Sequence, residues 1–217
     1  MWWDIAADVR ADFEDWHAHE HFPERLAIPG FRRGSRWSSA SGGDGMFVLY
    51  ELDRHATLSS PEYLAHLNAP TPWSTRLMPH HRHMVRSQCH VVASHGGVVA
   101  RYASTLRLQP VAGRDDALRS FLATLASDLA RRPGLTGAHL LRHEAPAIGT
   151  TKEQEIRANA DASAEWVFVV CGYAASTIEA LLVAELSAAR LRAQGAAADP
   201  ATGLYTLACS ATERDLD

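Results

Sequence analysis

The residues best suited to chemistry converge on one imidazole. His21 closes the run Trp16-His17-Ala18-His19-Glu20-His21-Phe22-Pro23. Histidine exchanges a proton near neutral pH, so it can serve as base and acid in one turnover. The stretch from Ala11 to Phe22 reads as helix and Pro23 interrupts it, because proline clashes with the preceding turn. A break of this kind sets side chains at the rim of a cavity. The partners that would steady an oxyanion are Arg86 and Tyr50. A guanidinium holds a carboxylate or enolate, and a phenol polarises a carbonyl. Each has a structural reading beside the catalytic one. His21 can hold a helix end through a carbonyl, Arg86 can pair with a surface acid, and Tyr50 can be a core tyrosine with one hydrogen bond.

Four more residues belong to the candidate set as substrate contacts: Glu20, Trp37, Trp73 and His90. Glu20 adjoins His21 but points about 100° away on a helix, and is expected to be solvated or paired with an arginine such as Arg33 or Arg36. Trp73 opens a short helix near Arg76. Metal is not expected. His17, His19 and His21 would share one face of a strand, but on a helix only His17 and His21 do. Two imidazoles without a carboxylate or thiolate make a weak site. His80-His81-x-His83 follows Pro79 and reads as a polar junction.

The elements that must position these groups repeat. The first half reads as a strand from Trp2, a helix to Phe22, strands Phe31–Trp37 and Met46–Leu52, helical pieces after Ser60-Pro61 and Pro72, and a strand Met84–Ser94. The second half reads as a strand Val98–Gln109, a helix over Leu118–Leu129, strands Ala138–Glu144 and Trp166–Gly172, a helix after Ser176, and a strand Gly203–Ser210. Each half is strand, helix, strand, strand, helix, strand, the split-βαβ order. Pro29-Gly30-Phe31 and Pro133-Gly134-Leu135 mark the same point in both. The expected fold is α+β: two ferredoxin-like βαββαβ repeats, 1–96 and 97–217, forming an eight-stranded barrel of the dimeric α/β-barrel type. Trp37, Tyr50, Tyr102 and Tyr205 are expected on the sheet faces that the helices leave bare. Each half can instead pair with another chain, which admits a homodimer. An insertion at about 146–165 carries the only lysine, Lys152, and reads either as a lid or as disorder. Within it Glu153 and Arg157 are spaced for a solvated i, i+4 pair.

Composition removes whole classes of function. The chain has 217 residues, 47% hydrophobic and 21% charged, with a formal net charge of −4. It is a globular protein with no basic field for nucleic acid or anionic lipid. No run approaches the roughly 20 apolar residues of a membrane helix. Three scattered cysteines do not make a disulfide framework, and the N-terminus lacks a signal-peptide pattern, so a cytoplasmic protein is expected. No phosphate loop, dinucleotide fingerprint or Gly-x-Ser-x-Gly elbow occurs.

Trp16, Glu20-His21, Pro23 and Pro29-Gly30-Phe31 together resemble the EthD-like branch of the dimeric α+β barrel superfamily, as do Tyr50-Glu51 and Pro61-x-Tyr63-Leu64. The resemblance covers the first half well and the second half mainly in element order. It implies a pocket histidine at His21. The superfamily includes cofactor-independent cyclases, dehydratases, decarboxylases, isomerases and monooxygenases, and also haem proteins built from two repeats. The expectation is a cofactor-independent enzyme of lyase or isomerase type, acting on a small hydrophobic or aromatic carbonyl compound. The alternatives are haem binding and non-catalytic ligand binding.

Overall fold

The computed structural model describes residues 1–157 and 162–216. They fold as two compact units. Unit one comprises Met1–Gln88, Ala145–Ala162 and Ala208–Asp217, and unit two comprises Cys89–Glu144 and Ser163–Leu207.

Unit one begins with strand β1 (Trp2–Asp4), helix α1 (Ala7–Trp16), a π-helical turn (His17–His21) and helix α2 (Phe22–Leu26). The hairpin β2 (Phe31–Ser39) and β3 (Gly45–Leu52) follows, then α3 (Pro61–Asn68), α4 (Pro72–Leu77) and β4 (Arg82–Val85). The strand order is β4-β1-β3-β2. β1 pairs antiparallel with both its neighbours, as does β3. The starts of α3 and α4 are written in the sequence. Ser60 Oγ accepts from the Tyr63 N–H and Thr71 Oγ1 from the Ser74 N–H, each followed by a proline at the first helical position.

Unit two contains β5 (Cys89–Gly96), β6 (Tyr102–Leu108), α5 (Asp115–Leu129), β7 (Leu135–His143), β8 (Trp166–Gly172), α7 (Ala175–Val183) and α8 (Ala188–Ala193), numbering the short insert helix α6 (Lys152–Arg157) between β7 and β8. The last strand, β9 (Ala201–Thr212), lies beside β6 and completes the order β9-β6-β8-β7-β5. Its core is apolar, with Leu118, Leu122 and Leu129 of α5 against Leu106, Leu140, Trp166 and Phe168 of the sheet.

Gly30 and Gly134 stand at φ +94° and +91°, each close against a threonine, Thr57 and Thr177 respectively. Only glycine adopts this backbone without strain, so the shared Pro-Gly signal reflects one physical need met twice.

Four features differ from the sequence reading. The stretch Met84–Ser94 is two strands, β4 in unit one and β5 in unit two, where Cys89–Gly96 pairs antiparallel with β7. Residues 145–162 and 208–217 belong to unit one although they follow its own elements in sequence. Glu153 and Arg157 are buried rather than solvated. Tyr50 and Trp37 do not share a sheet face. Gly34 pairs with Tyr50 and Trp37 with Phe47, and side chains alternate along a strand. Trp37 stacks on Phe47, whereas Tyr50 packs on Phe22 of α2 and on Phe31. Tyr50 therefore faces the helices.

Candidate active site

Pro23 shapes the site. Its ring would collide with the carbonyl four residues back in a regular helix. The helix instead widens over His17–His21, where the Phe22 N–H donates to the His17 carbonyl. Such π turns hold an extra residue per turn and recur at functional sites. Here the turn stacks two imidazoles inside unit one, with the His17 and His21 ring centroids 5.2 Å apart.

His17 is 1% exposed. Rings of Trp3, Phe13, Trp16 and Phe22 surround it at 4.3–6.2 Å. The His21 side chain is 12% exposed, its ring centroid 4.6 Å from that of Trp16. His81 joins from the turn before β4, its ring 5.0 Å from that of Trp3 and its Nδ1 3.0 Å from the Met78 carbonyl oxygen. Burial, and after it nearby cationic side chains, holds the His17 and His21 pKa values well below the ordinary histidine value. Burial takes His81 down to about 4. All three imidazoles are neutral at neutral pH.

Charged groups adjoin them. The Arg25 guanidinium is buried and ion-paired to Glu153 of α6. It lies 3.7 Å from Glu24 Oε1 and 5.9 Å from the Tyr63 ring centroid. Arg157 Nη1 stands 3.9 Å from Glu153 Oε2. The insert thus delivers a buried carboxylate and a guanidinium to this cluster. It is fixed by the Lys152 N–H donating to Asn68 Oδ1 and by the Arg86 N–H donating to the Ala162 carbonyl.

The cluster holds buried polar atoms that make no hydrogen bond among the described residues. They are His17 Nδ1, His21 Nδ1, Arg25 Nη1, Glu24 Oε2 and Tyr50 Oη. Each such group costs about 1–3 kcal/mol. Burial, the largest influence, raises the Tyr50 phenol far above its ordinary pKa, so it remains an O–H donor.

The sequence-predicted residues divide. His21 and Tyr50 lie in the cluster. Arg86 borders it, donating Nη2–H to Tyr63 Oη at 2.8 Å, so it holds a phenol instead of presenting a free guanidinium. Glu20 is not paired with Arg33 or Arg36. It accepts from Trp16 Nε1 at 3.0 Å and from Thr71 Oγ1 at 2.5 Å. Trp73 Nε1 donates to Asp12 Oδ1 at 2.9 Å, and Arg76 binds the same carboxylate, so Trp73 and Arg76 tie α4 to α1. Trp37 is wholly buried on the other sheet face. His90 lies in unit two, 3.5 Å from Glu144.

Reading the sequence missed Arg25, Glu24, Tyr63, His81, Glu153 and Arg157. A signal for Arg25 was present. Counting back from Pro133-Gly134 as from Pro29-Gly30 sets Leu125 and Leu129 opposite His21 and Arg25. Apolar core positions in one half have become ionisable in the other.

Among the described residues no group of three histidine, cysteine, aspartate or glutamate side chains could hold a metal ion. Aromatic rings crowd His17, and His81 Nδ1 lies against the Met78 carbonyl oxygen.

No protein-family model matches the chain, and no curated protein matches it in sequence. Solved structures do match in fold. An anthrone oxidase-like protein superposes with TM-score 0.65 at 11% identity, covering 100% of this chain and 92% of its own. A monooxygenase-like protein from Fusobacterium nucleatum gives 0.61 at 5% identity, with 97% and 91% covered. Another from Lactobacillus acidophilus gives 0.52 at 8% identity, with 98% and 93% covered. These neighbours are of the dimeric α+β barrel type, and the chain shares an α+β fold with them. At these identities the likeness concerns fold alone. Among the described residues no helix is long and apolar enough to cross a membrane.

Proposed function

We propose that the chain is a small-molecule enzyme that needs no organic cofactor and that begins its reaction by removing a proton from a hydrophobic, aromatic carbonyl compound held in unit one. The observation that carries this reading is the pair of buried donors without a hydrogen bond among the described residues, Tyr50 Oη and Arg25 Nη1, beside the buried imidazole of His21. His21 is neutral and therefore able to accept a proton. Its Nε2 takes the proton alpha to the carbonyl, and the C–H bonding electrons pass to the carbonyl oxygen. That oxyanion accepts hydrogen bonds from the Tyr50 O–H and from Arg25 Nη1–H. Donors already placed in a dry site stabilise such a charge strongly. Tyr63, held by Arg86, closes the aromatic wall beneath Arg25.

The step opens elimination and cyclisation and the oxygen chemistry that the neighbours' names describe, while in a decarboxylation the same oxyanion donors would hold the enolate left by loss of carbon dioxide and His21 would return a proton to its carbon. We read both units as ferredoxin-like βαββαβ repeats, a reading supported by the orders β4-β1-β3-β2 and β9-β6-β8-β7, the latter with β5 beyond it, and the Glu20-His21…Pro23 motif keeps the EthD-like relationship as our reading of its branch. The test is turnover of a panel of aromatic ketones and anthrones by the purified protein. His21→Ala is expected to lower turnover about 100-fold or more while remaining folded. Equal turnover in the variant rejects His21 as the base. Binding of panel members without turnover makes the protein a ligand carrier instead.

A further inference from the structure

This inference rests on His21 as the proton-moving group and concerns where that proton goes. A buried base must exchange its proton with solvent between turnovers, and the His21 ring is enclosed by Trp16 and His17. Its Nδ1 lies 3.9 Å from Glu24 Oε2. The other carboxylate oxygen, Glu24 Oε1, lies 3.2 Å from His66 Nδ1 on α3. Side-chain exposure along this line is 12% at His21, 13% at Glu24 and 39% at His66. The remaining ionisable groups acting on His21 are Arg25, His17, His81 and Arg157. None is a carboxylate, and Glu153 is occupied by Arg25.

We propose that Glu24 and His66 form the proton exit of the site. With Glu24 as acceptor, His21 carries its hydrogen on Nδ1 and keeps Nε2 free to act as base. When Nε2 takes the substrate proton, the electrons of the broken C–H bond stay on the substrate as an enolate. The Nδ1 proton passes to Glu24 Oε2, leaving His21 neutral with the substrate proton on Nε2; when Nε2 hands that proton to a leaving group, Nδ1 takes a proton back through Glu24, which restores the neutral starting tautomer. The carboxyl group then rotates and passes its proton to His66 Nδ1 as His66 Nε2 releases one to water. The His21–Glu24 separation of 3.9 Å is an ion-pair distance and not yet a hydrogen bond, and contacts of this kind commonly tighten when substrate binds.

The test needs no substrate. Exchange of the His21 ring N–H with solvent is followed by nitrogen-15 NMR in the full chain labelled at histidine. Glu24→Gln, which keeps the shape and removes the shuttle, is expected to slow exchange about tenfold or more. His66→Gln, at a half-exposed position, is expected to do the same, while the exposed control His19→Gln leaves the rate unchanged. Wild-type exchange in either Glu24→Gln or His66→Gln overturns the proposal. Slowed exchange in both, together with full turnover in His21→Ala, keeps the path and removes only the catalytic reading.

Discussion

The three buried imidazoles set how this protein responds to acid. In the folded chain His17, His21 and His81 resist protonation. In the unfolded chain they take up protons near the ordinary value of about 6.5. Below that pH the unfolded state binds more protons, so stability falls as pH drops towards the depressed folded values, about 4 for His81. The slope reaches about 1.4 kcal/mol per pH unit for each histidine. Urea midpoints at about pH 7.5 and about pH 5 should therefore differ clearly, and His17→Phe should flatten the difference. A stability independent of pH over this range contradicts the neutral cluster. Tyr50 makes the opposite kind of prediction. Removing an unbonded buried hydroxyl relieves a cost. Tyr50→Phe should therefore leave stability equal or higher while lowering turnover about tenfold or more. A large loss of stability would show that the hydroxyl is bonded. The irregularity beside His21 was legible because the effect of Pro23 is local, although the chain widens into a π turn and stays helical to Leu26 where the sequence reading placed a break. It misplaced Tyr50 because the face of a strand depends on register, and the pairing of Gly34 with Tyr50 is not written in either strand alone.

Among the elements, the insert is the one whose role sequence could not supply. Its polar composition suits a solvated loop, yet Glu153 is buried against Arg25, 128 residues away in the chain. No local pattern signals such a pair. Removing one partner of a buried ion pair leaves an uncompensated charge and costs about 3–5 kcal/mol. Glu153→Ala should lose that much in chemical denaturation, whereas Lys152→Ala, whose Nζ reaches only Glu155 at the surface, should change stability by about 0.5 kcal/mol or less. Equal, small effects would mean that the insert does not hold Arg25. The helix starts at Ser60 and Thr71 were legible, because a capping hydroxyl followed by proline acts within one turn. The π turn was not legible as such, although Pro23, which explains it, was visible.

Over the whole chain, element order and the paired Pro-Gly turns carry our reading of two similar halves, and Gly30 and Gly134 share one backbone conformation. The division of labour between the halves was readable only in hindsight. Unit two keeps leucines at positions 125 and 129 within an apolar core. Unit one has His21 and Arg25 at the matching points and carries the unbonded polar atoms of the cluster. One unit holds ordinary packing at these positions while the other holds ionisable groups. The account's central claim is that this cluster removes a proton from carbon. The most direct measurement is enzyme-dependent exchange of the acidic benzylic hydrogen of 2-tetralone for deuterium in heavy water, read by proton NMR, which registers proton removal whatever reaction follows. The wild-type protein should exchange this hydrogen well above the buffer rate, and His21→Ala should fall back to it. Exchange at the buffer rate with wild type, or equal acceleration by His21→Ala, would contradict the account.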